Sequence, residues 1–131
     1  MFDTNDFNLI SVYTRAQAIA DGVLVDVSDF ASQYGFKVPV AITGNLFNGY
    51  VKPDKHLEAV GQALEGRLHD VLMALLFTIR KSDVHTDRVC FKVKFLMDAN
   101  TGKSETVKII SVIGGGDSGE CVLTIMLPED E

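Results

Sequence analysis

Apolar and polar residues alternate along most of the segment Arg88-Val-Cys-Phe-Lys-Val-Lys-Phe-Leu-Met97, which is the strongest indication of the fold class. One face of the stretch carries only apolar residues, which are Val89, Phe91, Val93, Phe95 and Met97. A period of two residues is typical of a β-strand with one buried face. We therefore predict a strand that packs against a hydrophobic core.

Two turn sequences follow this strand and reverse the chain twice. Residues 98–103 (DANTGK) contain a glycine suited to a hairpin, and residues 114–119 (GGGDSG) are rich in glycine. Strands are expected at residues 106–113 and 121–127. The C-terminal half is thus predicted to be a three-stranded antiparallel β-meander, with Ile113 opposite Cys121.

The face of the meander opposite Phe91 is also apolar, and its members are Leu96, Ile110, Val112, Val122 and Met126. Left in water, they would form a patch on the order of several hundred Å², which is larger than a soluble monomer usually tolerates. Either the N-terminal helices cover this face, or it meets another chain. A homodimer that shares this interface is therefore one hypothesis.

A long helix precedes the meander. Apolar residues recur at three- and four-residue spacing from Leu64 to Ile79, which predicts a helix over residues 65–81. Arg67 and Asp70 lie on neighbouring positions of this helix and can pair there. The Arg67 guanidinium either ties the helix to a loop, which we favour, or binds a carboxylate or phosphate in a pocket.

The N-terminal half is predicted to contain short helices and one strand. Thr14 is expected to cap a helix that ends at Gly22, and residues 23–27 read as a strand. A second short helix should end at Gly35. Residues 38–42 begin extended, a helix is expected from Thr43 onward, and residues 53–61 read as a loop or a helical turn.

The length and composition fit one α+β domain over residues 1–131, with residues 1–8 flexible and residues 128–131 as an acidic tail. No run approaches the ~18 apolar residues that cross a bilayer, and MFDTNDFN at the N-terminus does not resemble a targeting signal. We therefore expect a cytoplasmic protein without membrane contact. Cys90 and Cys121 are expected to be small buried hydrophobes in a reducing compartment.

Charge is distributed unevenly along the chain. The net charge of −6 argues against direct binding of nucleic acid, which requires clustered Lys and Arg. Residues 80–108 carry most of the C-terminal bases, whereas residues 109–131 carry acids only, namely Asp117, Glu120, Glu129, Asp130 and Glu131. These acids either pair across strands with a basic strand, the interpretation we favour, or form an acidic surface for a basic partner.

Motifs for catalysis or metal binding are not evident. Residues 116–119 (GDSG) resemble the segment around a trypsin-like nucleophile, but the chain is too short for that scaffold, and a hairpin turn explains the string. His56, His69 and His85 are too far apart in sequence to share a helix face. We expect no catalytic residue, cofactor or metal. His69 beside Asp70 is either an acid–base residue or a solvated residue on the polar flank of the helix, and we favour the second interpretation.

Three segments carry a resemblance to a known family: residues 9–28 (LISVYTRAQAIADGVLVDVS), 66–72 (GRLHDVL) and 115–130 (GGDSGECVLTIMLPED). Together they resemble a family of small uncharacterised proteins carried on plasmids, phages and integrated elements. The resemblance spans nearly the whole chain and departs from the family pattern around residues 53–64 and at His69. It implies a genomic setting and no catalytic residues.

Three functional hypotheses follow. The first is a non-catalytic binding protein of a mobile element that inhibits a host defence system, anti-CRISPR or anti-restriction, by presenting an acidic surface to a nucleic-acid-binding complex. The second is a small enzyme acting on nucleotides or proteins, with a cleft near Arg67 and Asp70 that also involves Arg15 and His69. The third is a homodimeric scaffold.

Overall fold

A five-stranded mixed sheet lies at the centre of the computed structural model, which describes residues 13–82 and 86–131. The predicted flexible segment 1–8 lies outside these residues. The helices are α1 (Arg15–Ala20), α2 (Ser28–Ser32), α3 (Gly44–Leu46), α4 (Lys55–Ala59) and α5 (Leu64–Lys81). The strands are β1 (Leu24–Asp26), β2 (Val40–Thr43), β3 (Arg88–Leu96), β4 (Ser104–Gly115) and β5 (Cys121–Met126). A π-helical turn (Phe47–Val51) follows α3, and a 3₁₀ turn (Pro128–Asp130) follows β5.

The sheet order is β1-β2-β5-β4-β3, and only the β2–β5 pair is parallel. The α+β class and the long central helix are confirmed. The expectation of one N-terminal strand was wrong, because β2 is a second. All four β2 residues are buried, so the strand lacks the polar alternation that marks a half-exposed strand.

The predicted pairing of β4 with β5 was wrong by two residues. Ile113 lies opposite Leu123, and Cys121 lies opposite Gly115. The turn is tighter than expected because Gly116 N donates to Glu120 O at 2.6 Å and Gly119 has a φ of +80°. A shift of two residues preserves the side-chain alternation, so the predicted faces are retained.

Cross-strand neutralisation of a basic strand by an acidic one does not occur in the sheet. Strand β4 separates β3 from β5, and it places Lys108 directly opposite Lys92. Strand β5 itself contains no acidic residue. This interpretation of the charge distribution was therefore wrong, because the acids lie in the turns that flank β5.

Helices cover the two faces of the sheet unequally. Helix α5 packs on the face of Phe91, Val93 and Phe95, where most of the buried side chains form one core. Helix α1 lies on the opposite face, because Arg15 Nη1 donates to Thr124 Oγ1 at 2.8 Å. Polar residues on α1 and α5 therefore lie on opposite sides of the sheet.

The second apolar face is largely covered within a single chain. Ile110, Val122 and Met126 are buried, and Leu96 and Val112 are half-buried. Hydrogen bonds join the C-terminal tail to Thr43 on β2 and to Arg88 on β3. These strands flank β5 and β4, so the tail crosses this face.

Both cysteines are free and exposed, contrary to the expectation that they are buried. Cys90 lies on the outer face of β3, which is an edge strand, and Cys121 begins β5 beside the glycine-rich turn. Position at a sheet edge and a strand end explains their exposure. None of the helices in the described part combines the length and the apolar character that a bilayer crossing requires.

Gly44 provides a test of how the N-terminal half joins the sheet. A Cβ at this position would lie 2.4 Å from the carbonyl oxygen of Gly22, which is backbone and cannot rotate away. We expect Gly44→Ala to lower the free energy of unfolding by about 1–3 kcal/mol, measured by urea denaturation.

Gly66→Ala is the matched control, because a Cβ at Gly66 would meet no atom within 4 Å and the residue is inside α5. This variant should gain about 0.5–1 kcal/mol of stability from its lower unfolded-state entropy. Equal effects of the two substitutions would contradict the close approach at Gly44.

Candidate functional site

Arg67 is the most heavily bonded charged side chain among the described residues. It is 3% exposed, and its guanidinium stacks over the Phe95 ring at 5.0 Å. Its Nε donates to Tyr50 O at 2.8 Å, and its Nη1 donates to Leu96 O at 2.9 Å and to Gln62 Oε1 at 3.1 Å. The side chain thus ties α5 to the π-helical turn and to the end of β3.

This geometry leaves the Arg67 guanidinium few donors for a substrate. Burial lowers the pKa of Arg67, while the carboxylates of Asp54 and Asp70 act in the opposite direction. The group remains charged at neutral pH because an Arg pKa lies far above 7. The contacts of Arg67 are those of a structural tie between helix and loop, and not those of a side chain that binds a carboxylate or phosphate in a pocket.

Replacement of Arg67 tests the tie. Arg67→Met should lower the free energy of unfolding by about 1–3 kcal/mol, because the Tyr50 and Leu96 carbonyls lose their donors. Arg67→Lys should restore part of the loss, since one ammonium can reach only some of these acceptors. Arg80→Met, at an exposed position near the end of the same helix, is the control and should change stability by less than about 0.5 kcal/mol.

A second tie joins α1 to the glycine-rich turn. Asp117 accepts hydrogen bonds from Arg15 N at 2.7 Å and from Ala16 N at 3.0 Å, so its carboxylate caps the start of α1. The Arg15 side chain reaches β5, donating to Thr124 Oγ1 and to Leu123 O at 3.1 Å. The GDSG string is therefore a structural turn whose Asp holds a helix.

The cap on α1 makes stability depend on pH. Backbone hydrogen bonds from Ala16 and Arg15 lower the pKa of Asp117. Because the pKa of Asp117 is lower in the folded state, the stabilisation from its carboxylate is complete above the unfolded-state pKa of about 3.9. This stabilisation is lost as the pH falls through the lower, folded-state pKa. We expect Asp117→Asn to lower the Tm at pH 7 and to reduce the loss of Tm between about pH 5 and pH 3.

Ser118→Ala is the control for this experiment, because its exposed side chain belongs to the same turn and makes none of these bonds. Its Tm should follow that of the unmodified protein at every pH. A pH profile of Asp117→Asn that parallels the unmodified protein would contradict the role of this carboxylate.

The five acids predicted as a binding patch fall into two groups at opposite ends of β5. Asp117 and Glu120 precede the strand, whereas Glu129, Asp130 and Glu131 follow it, and six residues of strand span roughly 17 Å. They do not form one continuous cluster around the strand.

Several of these acids are already bonded within the chain. Asp130 accepts hydrogen bonds from Thr43 Oγ1 and from Asn45 Nδ2, both at 2.7 Å. Burial alone would raise its pKa, but the bonds from Asn45, Thr43 and Leu127 N outweigh this effect and lower it. Glu131 forms a two-point ion pair with Arg88, which lowers the pKa of Glu131.

A different set of carboxylates surrounds a cleft between α2 and the start of α5, with a volume of about 370 Å³. Its charged members are Asp26, Asp29 and Glu65, all of which are exposed. Apart from Ser28, the remaining wall is apolar and includes Phe30 and Phe47. We call this feature the acidic cleft, and among the described residues that line it there is no basic side chain.

Sequence reasoning did not assemble the acidic cleft, because its acids are distant along the chain. In the sequence, capping, the helix dipole or solvation suffices to explain Asp26 and Asp29, and Glu65 lies in the first turn of α5. One sequence signal could have indicated the acidic cleft: Asp26, Asp29 and Glu65 all lie at the ends of helices or strands. Within the described residues, no group of three or more His, Cys, Asp or Glu side chains could hold a metal ion.

The residues considered for an enzyme do not converge. Arg15 lies on the sheet face opposite to α5, which carries Arg67, His69 and Asp70. His69 is exposed and bonds Tyr34 Oη through Nδ1 at 2.7 Å, with the two rings 5.4 Å apart. None of these α5 side chains lines the acidic cleft.

The described residues thus define a mixed α+β protein with an acidic cleft and a sheet held by charged ties. The whole chain, residues 1–131, matches the model of the family of unknown function DUF6573, and the protein belongs to that family. No curated protein and no solved structure matches the chain.

Proposed function

We propose that this protein is a non-catalytic binding protein of a mobile genetic element. It inhibits a host defence complex, of the CRISPR or restriction type, by occupying a surface that would otherwise bind nucleic acid. The acidic cleft is the observation that carries the binding role. The mobile-element setting rests on the family resemblance of the three sequence segments.

The chemistry of the acidic cleft favours a basic partner. A nucleic-acid channel presents clustered Lys and Arg, whose charge is balanced by phosphates when nucleic acid is bound. The three exposed carboxylates of the cleft can take the place of these phosphates. The aromatic side chains of the wall supply contact area that a purely ionic surface lacks. The net charge of −6 adds long-range attraction to such a channel.

The internal use of the other charged groups supports binding over catalysis. Arg15, Arg67, Asp117 and Asp130 all hold elements of the fold together. An acid or base that is already committed to structural hydrogen bonds is poorly placed to exchange protons with a substrate. In the acidic cleft, Asp26 also accepts hydrogen bonds from Ser28 N at 2.9 Å and from Ser28 Oγ at 2.6 Å. The exposed carboxylates of Asp29 and Glu65 differ, because they make no hydrogen bond to a described residue.

Two charge-reversal variants test which acids bind the partner. Asp29→Lys combined with Glu65→Lys alters the acidic cleft, and Glu120→Lys combined with Glu129→Lys alters the two acidic groups around β5. Each pair changes the net charge equally. The measurements are recovery of a nuclease complex from a host lysate on the tagged protein and phage plaquing on a host with active defence.

We expect the first pair to reduce recovery at least tenfold and to abolish the rescue of plaquing, while the second pair retains both. Binding by the unmodified protein should weaken between about 50 and 200 mM salt because exposed charges are screened. An equal loss in both pairs would assign the effect to total charge. Recovery of no partner at low salt would count against the proposal.

A further inference from the structure

A cavity of about 430 Å³ opens at the C-terminal end of α5, far from the acidic cleft. We call it the helix-end cavity. Four elements and one connection form its walls: Thr78 and Ile79 from α5, Ser82, Thr86 and Asp87 from the connection to β3, Arg88, Val89 and Cys90 from β3, Ser111 and Ile113 from β4, and Leu123 from β5. Pockets of about 300–1,000 Å³ with mainly apolar walls are typical of small-molecule sites.

Two large aliphatic side chains in this cavity remain partly in solvent. Ile79 on α5 is 36% exposed. Ile113 on β4 is 40% exposed, although it lies on the core face of the sheet. Burying such surface in contact with an apolar ligand is favourable. The exposure therefore gives the cavity an apolar contact surface that the folded chain leaves uncovered.

Among the sheet residues on the core face of the cavity, Ser111 is the polar one. Of the other polar residues in the lining, Thr78 and Thr86 donate their hydroxyls to backbone carbonyls, and Arg88 pairs with Glu131. Ser111 is 2% exposed and lies on the core face, opposite Val89 on one side and Ile125 on the other. Its hydroxyl makes no hydrogen bond to a described residue. Among the described residues, every fully buried polar side-chain atom has a hydrogen-bond partner. The hydroxyl oxygen is thus not fully buried and faces the helix-end cavity.

We propose that the helix-end cavity binds a small, neutral, mainly aliphatic molecule with one hydrogen-bonding group that pairs with the Ser111 hydroxyl. A cavity of about 150 Å³ holds benzene, so the larger and more open helix-end cavity takes on the order of 10–15 non-hydrogen atoms. The aliphatic walls select for shape and hydrophobicity. The hydroxyl selects for a ligand with a donor or an acceptor at one end.

Matched probes test this assignment on the full chain. Cyclohexylmethanol carries a hydroxyl on an aliphatic ring, and methylcyclohexane has nearly the same size without it. Titration followed by methyl NMR should show saturable shifts of the Ile79, Ile113 and Leu123 methyl groups. Cyclohexylmethanol should bind about threefold to tenfold more tightly than methylcyclohexane after correction for their different hydrophobicity.

Substitutions separate a specific site from general hydrophobic binding. Ser111→Ala should remove the advantage of the hydroxyl probe, and Ile113→Asp should abolish binding of both probes. Val60→Asp is the control, because Val60 is an exposed aliphatic residue outside the cavity, and it should leave both affinities unchanged. The amide spectrum of each variant reports whether the fold is retained.

The proposal is overturned if neither probe gives saturable shifts, if Val60→Asp weakens binding as much as Ile113→Asp, or if Ser111→Ala leaves the preference for cyclohexylmethanol unchanged. Should Ile113→Asp fail to fold, Ile113→Thr serves in its place and should weaken both probes. These outcomes do not depend on whether a defence complex binds the acidic cleft.

Discussion

The parallel pairing of β2 with β5 holds the N-terminal and C-terminal halves of the chain together. Val40 and Ile42 lie beside Leu123 and Ile125, and these side chains are buried in the common core. Parallel neighbours require a long crossover, and here the crossover contains α5 and the first two strands of the meander. The pairing therefore joins the two halves of the chain into one sheet.

Charged side chains reinforce this junction on the sheet face opposite α5. Arg15 bonds β5 from α1, Asp117 holds α1 from the glycine-rich turn, and Asp130 returns from the C-terminal tail to Thr43 on β2. The first and last segments that carry the family resemblance are thus in direct contact. Contact between these two segments helps to hold the sheet together, which gives a structural reason for their residues that does not depend on any activity.

The two surfaces proposed for binding lie at opposite ends of one helix. Leu64 and Glu65 line the acidic cleft, and Thr78 and Ile79 line the helix-end cavity, which places them about 20 Å apart along α5 at roughly 1.5 Å per residue. A macromolecular partner at one end need not cover the other. Arg67 lies near the first end and fixes α5 against β3, so both surfaces rest on the same rigid helix.

Helices and strands with strong periodicity or clear caps are predictable from the amino-acid sequence. The alternation at Arg88–Leu96 and the spacing of leucines in α5 identify those elements because burial on one face imposes a local period. The place of β2 in the sheet, the β4–β5 register and the proximity of Asp26, Asp29 and Glu65 became apparent from the folded chain. These features depend on contacts between residues distant in the chain, for which the local pattern carries no period.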